Sequence, residues 1–474
     1  MKGLWAISIL KKIRMKETTN RHSSSFRDPS GFIFLEDDVL LRQVNPVYFQ
    51  QYRSLTDTGF YKKLFDAGLL VTHNEVSASK DSIVLQPECI PFFSYPYEWS
   101  FSQYKHAALH TLKLQKYCLK NGYTLKDATA FNITFHKGKP LFADSLSFDV
   151  YTEGEPWRAY KQFLMHFLAP LVLAKYYGND MLKLLQQYID GIPLQKAAKL
   201  LPFTARFNPV VYTNIFLTAK YDAKFSNEKP ENSKSIKLSK QSQEKILDSL
   251  YSYINGLELK ENTEWKDYYA ITNYDTQAFD YKKGLVRKWF ESINAKKAVD
   301  LGGNDGTFSR VLEDIAEELL VADIDPNAVN HNYLQVLQNK ESNIIPLVSD
   351  LLNPAPGIGF NNTERLPLQE RIRKSNYDVS LALALIHHIS LTGNVPFAMS
   401  AEMFASLTPY LIIEFPDRED SWVDFLLKSK REFASYFDYY NRENFENDYA
   451  AYFEVVQKEQ LPNTHRTMYL LKRK

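Results

Sequence analysis

The residues best suited to chemistry lie in the second half of the chain. Asp300-Leu301-Gly302-Gly303-Asn304-Asp305-Gly306 closes a short apolar run and leads into a segment, 307–320, whose pattern predicts a helix. Small residues let the backbone turn sharply and approach a ligand closely. The first turn of a helix adds unpaired N–H groups and the positive end of its dipole. Asp323 ends the next apolar run, where a carboxylate can accept both hydroxyls of a ribose. A dinucleotide site would carry G-x-G-x-x-G, whereas the order here is D-x-G-x-N-x-G. The acidic Asp300 repels a pyrophosphate and attracts an amino group. These residues describe a βαβ unit for a nucleoside that carries an amino group.

Candidate bases follow. His387 and His388 come after the apolar run 377–385, at what would be the carboxyl edge of a parallel sheet. Glu414 and Asp417 stand at and after the run 410–415. Such groups take a proton from a hydroxyl or a protonated amine. The competing uses are packing on the cofactor side for the histidines and a solvated loop for the acids. Ahead of the glycine-rich turn, Trp265, Tyr268, Tyr269, Tyr274 and Lys283 form an aromatic and basic approach. It can wall a pocket or face a cation, and a lid helix packed on the sheet is the plain alternative.

Strand–helix alternation must position these groups. Apolar runs at 298–301, 320–324, 344–348, 377–385 and 410–415 alternate with helical patterns at 307–320 and 328–340. This argues for a parallel sheet covered on both faces. Runs 452–456 and 467–471 have no helix between them and predict a closing antiparallel hairpin. Upstream, residues 225–243 read FSNEKPENSKSIKLSKQSQ, the composition of a flexible linker. A helix over 244–257 then opens a C-terminal domain, 244–474. Residues 26–224 read as an N-terminal α+β domain, with a hairpin of strands 31–35 and 39–44, helices at 48–67, 102–121 and 157–177, and short strands at 131–135 and 141–143. Residues 1–25 read as a disordered leader, since the charges after the apolar run 3–10 fall on the wrong side for a signal peptide.

Composition bounds the rest. The chain has 474 residues, 45% hydrophobic and 24% charged, with a formal net charge of +1. That excludes a disordered or fibrous chain, and no basic excess recruits nucleic acid. Two cysteines, Cys89 and Cys118, make neither a disulfide framework nor a CxxC pair, so no structural zinc is expected and a cytoplasmic location is. No apolar run reaches the length of a membrane-spanning helix.

S-adenosylmethionine, with an α-amino group, a sulfonium and a ribose, fits the glycine-rich turn better than NAD or FAD. The motifs resemble those of class I S-adenosylmethionine-dependent methyltransferases. AVDLGGNDG matches the first motif, with Asn304 in place of the usual middle glycine, and LVADIDPNAV matches the second, with Asp323 at the ribose position. VSDLL matches the third, with Asp350 at the adenine amino group, while DVSLALALIHHIS and LIIEF match the fourth and fifth strands. The resemblance implies a Rossmann-like sheet and S-adenosyl-L-methionine as cofactor. It implies that Gly302, Gly303, Asn304 and Gly306 shape the methionine end and that Asp300 orients the amino group. Asp323 with Ile324, Asp350 with Leu351, and Ala382 complete the cofactor set, and His387, His388 or Glu414 assists the transfer. The [DN]-P-P-[YFW] order of amino-group methylation on adenine, cytosine or glutamine is replaced by Ala382-Leu383-Ala384-Leu385. RDPSGFIF, SYPYEWSFSQ, DATAFNITF, NPAPGIGFNNTER and ALALIHHI narrow the resemblance to the nodulation-protein NoeA-like group, from about Arg27 onward. The methyl acceptor, whether small molecule, glycan or protein, is not legible, nor is the oligomeric state.

In the N-terminal half, Asp127 and Asn132 (DATAFN), followed by Asp144, carry the spacing of a kinase catalytic loop. No glycine-rich phosphate loop or V-A-I-K strand accompanies them, and Leu125-Lys126 replaces His-Arg. A degenerate kinase-like module competes with a coincidence of polar turn residues. An ATP-dependent phosphotransferase and a non-catalytic cofactor-binding adaptor are therefore the alternatives to a methyltransferase. The aromatic segment Phe92, Phe93, Tyr95, Tyr97, Trp99 and Phe101 serves either an acceptor pocket or a core.

Overall fold

The computed structural model describes residues 21–225, 237–259 and 276–474. Trp265, Tyr268, Tyr269 and Tyr274 lie outside the described residues, as do most of the leader and the centre of the linker.

In the N-terminal half, β1 (Gly31–Glu36) and β2 (Val39–Val44) form the expected hairpin. They join β3 (His73–Ala78) and β4 (Ile83–Pro87) in a four-stranded antiparallel sheet of order β1-β2-β4-β3. Residues 21–25 do not behave as a loose leader: His22 N–H donates to the Ile33 carbonyl at 2.8 Å, and the Ser25 hydroxyl accepts from Ile33 N–H at 2.9 Å. The helix expected over 48–67 breaks into Phe49–Asp57 and Phe60–Asp66 at Gly59, whose φ of +67° favours glycine. Two small pairs follow, β5 (Tyr123–Leu125) with β8 (Phe148–Val150) and β6 (Ile133–His136) with β7 (Lys139–Phe142). The helix expected over 157–177 carries a π-turn at Leu164–Leu168. Pro170 has no N–H for the His166 carbonyl, which accepts instead from the Tyr104 hydroxyl.

The helix Lys240–Asn255 buries Leu247, Leu250 and Ile254 in the N-terminal core, not against the C-terminal sheet. The boundary drawn at 243/244 falls inside this helix, and Leu238 just before it bridges to Gly154.

The C-terminal half is a seven-stranded sheet. β9 (Lys297–Leu301), β10 (Glu318–Asp323), β11 (Ile344–Val348), β12 (Val379–Ala382) and β13 (Tyr410–Pro416) are parallel. β14 (Phe453–Gln460) and β15 (Arg466–Arg473) close it as the expected antiparallel hairpin, with β15 paired to β13. The order is β11-β10-β9-β12-β13-β15-β14, so the strand order reverses at β9 and opens a crevice at the carboxyl ends of β9 and β12. The helix expected over 307–320 does not form. Only a 3-10 turn, Ser309–Leu312, precedes β10, which begins at Glu318. The helix-dipole argument for this turn lapses with it.

The two halves share a buried, ion-paired contact. Arg371 pairs with the buried Glu98 and lies over Phe92 and Tyr95, 5.1 and 4.3 Å from their ring centres. Gln103 Nε2 donates to the Pro346 carbonyl at 3.0 Å. Phe92 packs under the C-terminal sheet, while Tyr95, Tyr97, Trp99 and Phe101 belong to the N-terminal core. The aromatic segment is core and interface, so the acceptor-pocket alternative falls away.

The kinase-like reading gains no support. Asp144, which follows the DATAFN segment in the kinase-like spacing, is ion-paired to Arg42 of β2 and also accepts from the Ser147 hydroxyl and Leu146 N–H. Among the described residues no group of three or more His, Cys, Asp or Glu is placed to hold a metal, and no helix is long and apolar enough to cross a membrane.

Candidate functional site

A cavity of about 280 Å³ opens at the strand reversal. The turn after β9 forms one wall. Gly302 faces the cavity with φ +75°, and a Cβ there would meet Leu385 Cδ1 at 3.0 Å. Gly306 does not line it. A Cβ at Gly306 would sit 2.7 Å from Arg310 Nη1, so this glycine admits the arginine that ties the turn to Glu341 and Asn332. Gly303 and Asn304 line the cavity, and Asn304 N–H donates to Asp323 Oδ2 at 2.8 Å.

Asp323 closes β10 on the cavity floor. Its other oxygen accepts from Asp325 N–H at 2.8 Å. Burial raises its pKa to about 6, against the pull of those two backbone N–H groups. Asp300, at the end of β9, is 2% exposed and accepts the Ser309 hydroxyl at 2.6 Å. Burial raises it likewise to about 6, opposed by the Ser309 hydrogen bond and then by Lys282. Ile324 and Leu351 add apolar wall. Asp350 lines the far end with one oxygen on Leu352 N–H at 2.8 Å, and Ser349 beside it holds a buried hydroxyl without a hydrogen-bond partner among the described residues. Ala382 ends β12 fully buried, behind Leu383 and Ala384, which do reach the cavity.

The three base candidates separate. His388 lines the cavity. Burial lowers its pKa to about 4, with Arg466 adding to the shift, so it is neutral at pH 7. His387 sits behind it, 1% exposed, with ring centres 4.2 Å apart and Nδ1 unpartnered among the described residues. Glu414 is 0% exposed and accepts from Lys282 Nζ at 2.5 Å, Arg466 Nη1 at 3.2 Å and Ala384 N–H at 2.8 Å. Arg466 in turn grips Asp420 at 2.6 and 3.1 Å. Glu414 is thus an internal tie and does not face the cavity. Asp417 pairs with Arg442 at 3.0 Å.

Sequence reasoning missed Lys282, Phe308, Ser349, Ile389 and Thr392, all of which line the cavity. Lys283, singled out instead, lies over Phe279 at 4.4 Å. The signal was present. Ala278, Lys282, Leu285, Val286 and Trp289 recur at helical spacing and form the buried face of Thr276–Ser292, on which Lys283 has no place.

No family model matches the chain. The nodulation protein NoeA of Rhizobium meliloti (strain 1021) is 32% identical over 466 residues, covering 96% of each chain. Among solved structures, the N-methyltransferase NodS from Bradyrhizobium japonicum WM9 is 11% identical and covers 42% of this chain and 98% of its own, with a TM-score of 0.30. WbdD is 15% identical over 47% of this chain and 46% of its own, again with a TM-score of 0.30. Both overlaps are a partial likeness of outline.

Proposed function

We infer, from the premise that the chain belongs to the family of the nodulation protein NoeA, that it is a methyltransferase using S-adenosyl-L-methionine bound in the cavity after β9. The observation that carries this reading is Asp323. It is a buried carboxylate at the mouth of the strand reversal, oriented by two backbone N–H groups and retaining lone pairs for a ribose diol.

The residues present fit the cofactor. The unpartnered Ser349 hydroxyl and Asp350 suit the polar edge of an adenine, with Ile324 and Leu351 against its faces. Gly302 and Asn304 line the methionine end, where Asp300 suits an ammonium. When bound, the cofactor supplies an electrophilic methyl group for in-line displacement. The chain contributes position above all. His388, neutral and on the cavity wall, holds the acceptor and takes its proton where the nucleophile is protonated. Glu414 holds the wall that carries this histidine through the Ala384 N–H. Small molecule, glycan and protein acceptors are all compatible with these roles.

Calorimetry with S-adenosylmethionine, S-adenosylhomocysteine and ATP tests the reading on wild type and Asp323→Ala. The two sulfur nucleosides are expected to bind the wild type, with affinity at least about tenfold lower in the variant, as for a lost charge-assisted acceptor. Unchanged affinity in Asp323→Ala, or binding of ATP alone, overturns it.

A further inference from the structure

The N-terminal half turns an apolar and basic surface outward. After the helix Leu194–Leu200, the turn Phe203–Phe207 leads into a helical stretch that starts at Pro209. Phe203 is 68% exposed and Phe207 74% exposed, with ring centres 5.5 Å apart. Arg206 lies 5.6 Å from the centre of the Phe203 ring and 4.9 Å from that of Phe216, on which Tyr212 stacks at 6.5 Å. Leu200, also exposed, ends the preceding helix. We propose that this surface docks on an anionic lipid bilayer, with Phe203 and Phe207 entering the headgroup region and the neighbouring cations meeting lipid phosphates. Such a peripheral contact needs no membrane-spanning helix, and it stands apart from the cofactor reading.

The rings are held outward by the fold. Leu201, Ala205, Val211 and Ile215, from the same stretch of chain, are buried in the N-terminal core, so its inner face is already used. Asn208 fixes the joint, its Oδ1 accepting from Val210 and Val211 N–H, both at 3.1 Å. The Leu200 carbonyl accepts from the Tyr177 hydroxyl at 2.5 Å. Adjoining apolar side chains exposed on a fixed frame mark an interaction surface, whereas scattered single ones do not.

Charge selects the occupant. Residues 191–221 contain Lys196, Lys199, Arg206 and Lys220 and no Asp or Glu, in a chain whose totals are Lys+Arg 57 and Asp+Glu 56. All of these cations are exposed. The helix Thr218–Phe225, which carries Lys220, packs on Leu194–Leu200, which carries Lys196 and Lys199. The acids flanking the segment are engaged with other residues, Asp190 with Arg27 at 3.8 Å and Asp222 with Lys161 at 2.7 Å. An anionic leaflet attracts this surface and admits its rings. A second copy fits poorly, because a two-fold contact sets the patch against itself and opposes like charges. A single nucleic-acid strand needs open ring faces on which bases stack, and Arg206 already lies over Phe203 and Phe216.

The test is cosedimentation of the full chain with vesicles of phosphatidylcholine, with and without phosphatidylglycerol. Partition onto the anionic vesicles is expected to be at least about tenfold stronger than onto phosphatidylcholine alone, and to collapse at about 1 M salt, where the Debye length is about 3 Å. Phe203→Ser with Phe207→Ser should lower it at least about tenfold, while Phe203→Leu with Phe207→Leu should keep most of it. Lys199→Glu with Arg206→Glu should erase the preference for phosphatidylglycerol. Thermal unfolding and S-adenosylhomocysteine affinity should match the wild type in all three variants, since the substituted side chains are exposed and remote from the cavity. A wild type that ignores anionic vesicles overturns the proposal. So does a serine variant that binds them as the wild type does, as when the apolar run 3–10 and the cations after it carry the binding. Sedimentation velocity showing a dimer that the serine variant abolishes assigns the surface to a second copy and overturns it. Fluorescence anisotropy showing tighter binding to a single-stranded oligonucleotide than to the vesicles overturns it in favour of nucleic acid.

Discussion

Glu414 accepts the backbone N–H of Ala384 at 2.8 Å and holds that residue at φ +50°, a left-handed conformation that costs an alanine free energy. The turn so fixed supplies Leu383, Ala384 and Leu385 to the cavity wall and leads directly into His388. A carboxylate within β13 thus acts on the site through the backbone of the turn that follows β12.

Glu414→Gln should therefore behave as a structural lesion. It leaves Lys282 and Arg466 without their shared buried anion, and breaking a buried ion pair costs about 3–5 kcal/mol. Thermal unfolding should show a clear fall in Tm accompanied by weaker S-adenosylhomocysteine binding. A variant with native Tm and loss confined to kcat would restore Glu414 as a base.

The two histidines should separate in function. His388→Asn is expected to lower turnover about a hundredfold, the scale of general-base contributions, with S-adenosylhomocysteine affinity within about threefold. His387→Asn should lower stability first, because His387 is enclosed. Incorporation of tritiated methyl groups into cell extract, read beside Tm, checks both.

Cofactor affinity should depend on pH through Asp300 and Asp323. Both have pKa values raised to about 6 in the ligand-free protein. Ribose hydroxyls and an ammonium favour the carboxylate forms, so binding releases protons below pH 6. Affinity should fall as pH drops through about 6 and level off above it. The ligand-free protein should show the opposite sense. A raised carboxyl pKa contributes stability below the unfolded value near 3.8 that is lost as pH rises through about 6. Calorimetry between pH 5 and pH 8 in buffers of different ionisation enthalpy measures the protons released, and a flat affinity profile across that range would contradict the assignment.

The contact between halves should matter for stability as a pair. Arg371→Met leaves Glu98 buried and uncompensated and should cost about 3–5 kcal/mol in urea unfolding, whereas the double variant Arg371→Met with Glu98→Gln should recover part of it. Additive losses would mean that the two residues do not act together.

The strand grammar of the second half was legible because a strand's apolar run and the acid at its end are local features. Asp300 and Asp323 follow from counting along the chain, Asp350 was implied only by the resemblance, and β11 runs over the residues expected. Three matters were decided by tertiary structure. The segment after Gly306 forms only a short 3-10 turn, because Arg310 is drawn to Glu341 and Asn332 across the fold. The helix Lys240–Asn255 joins the N-terminal core, because its apolar face matches the helix Phe101–Lys120 and not the sheet nearer in sequence. Lys282, Glu414, Arg466 and Asp420 meet only after helix, strand and hairpin have packed. Periodicity reports which face of an element is apolar. Which partner a buried charge finds depends on residues far along the chain, and only the assembled fold brings them within reach.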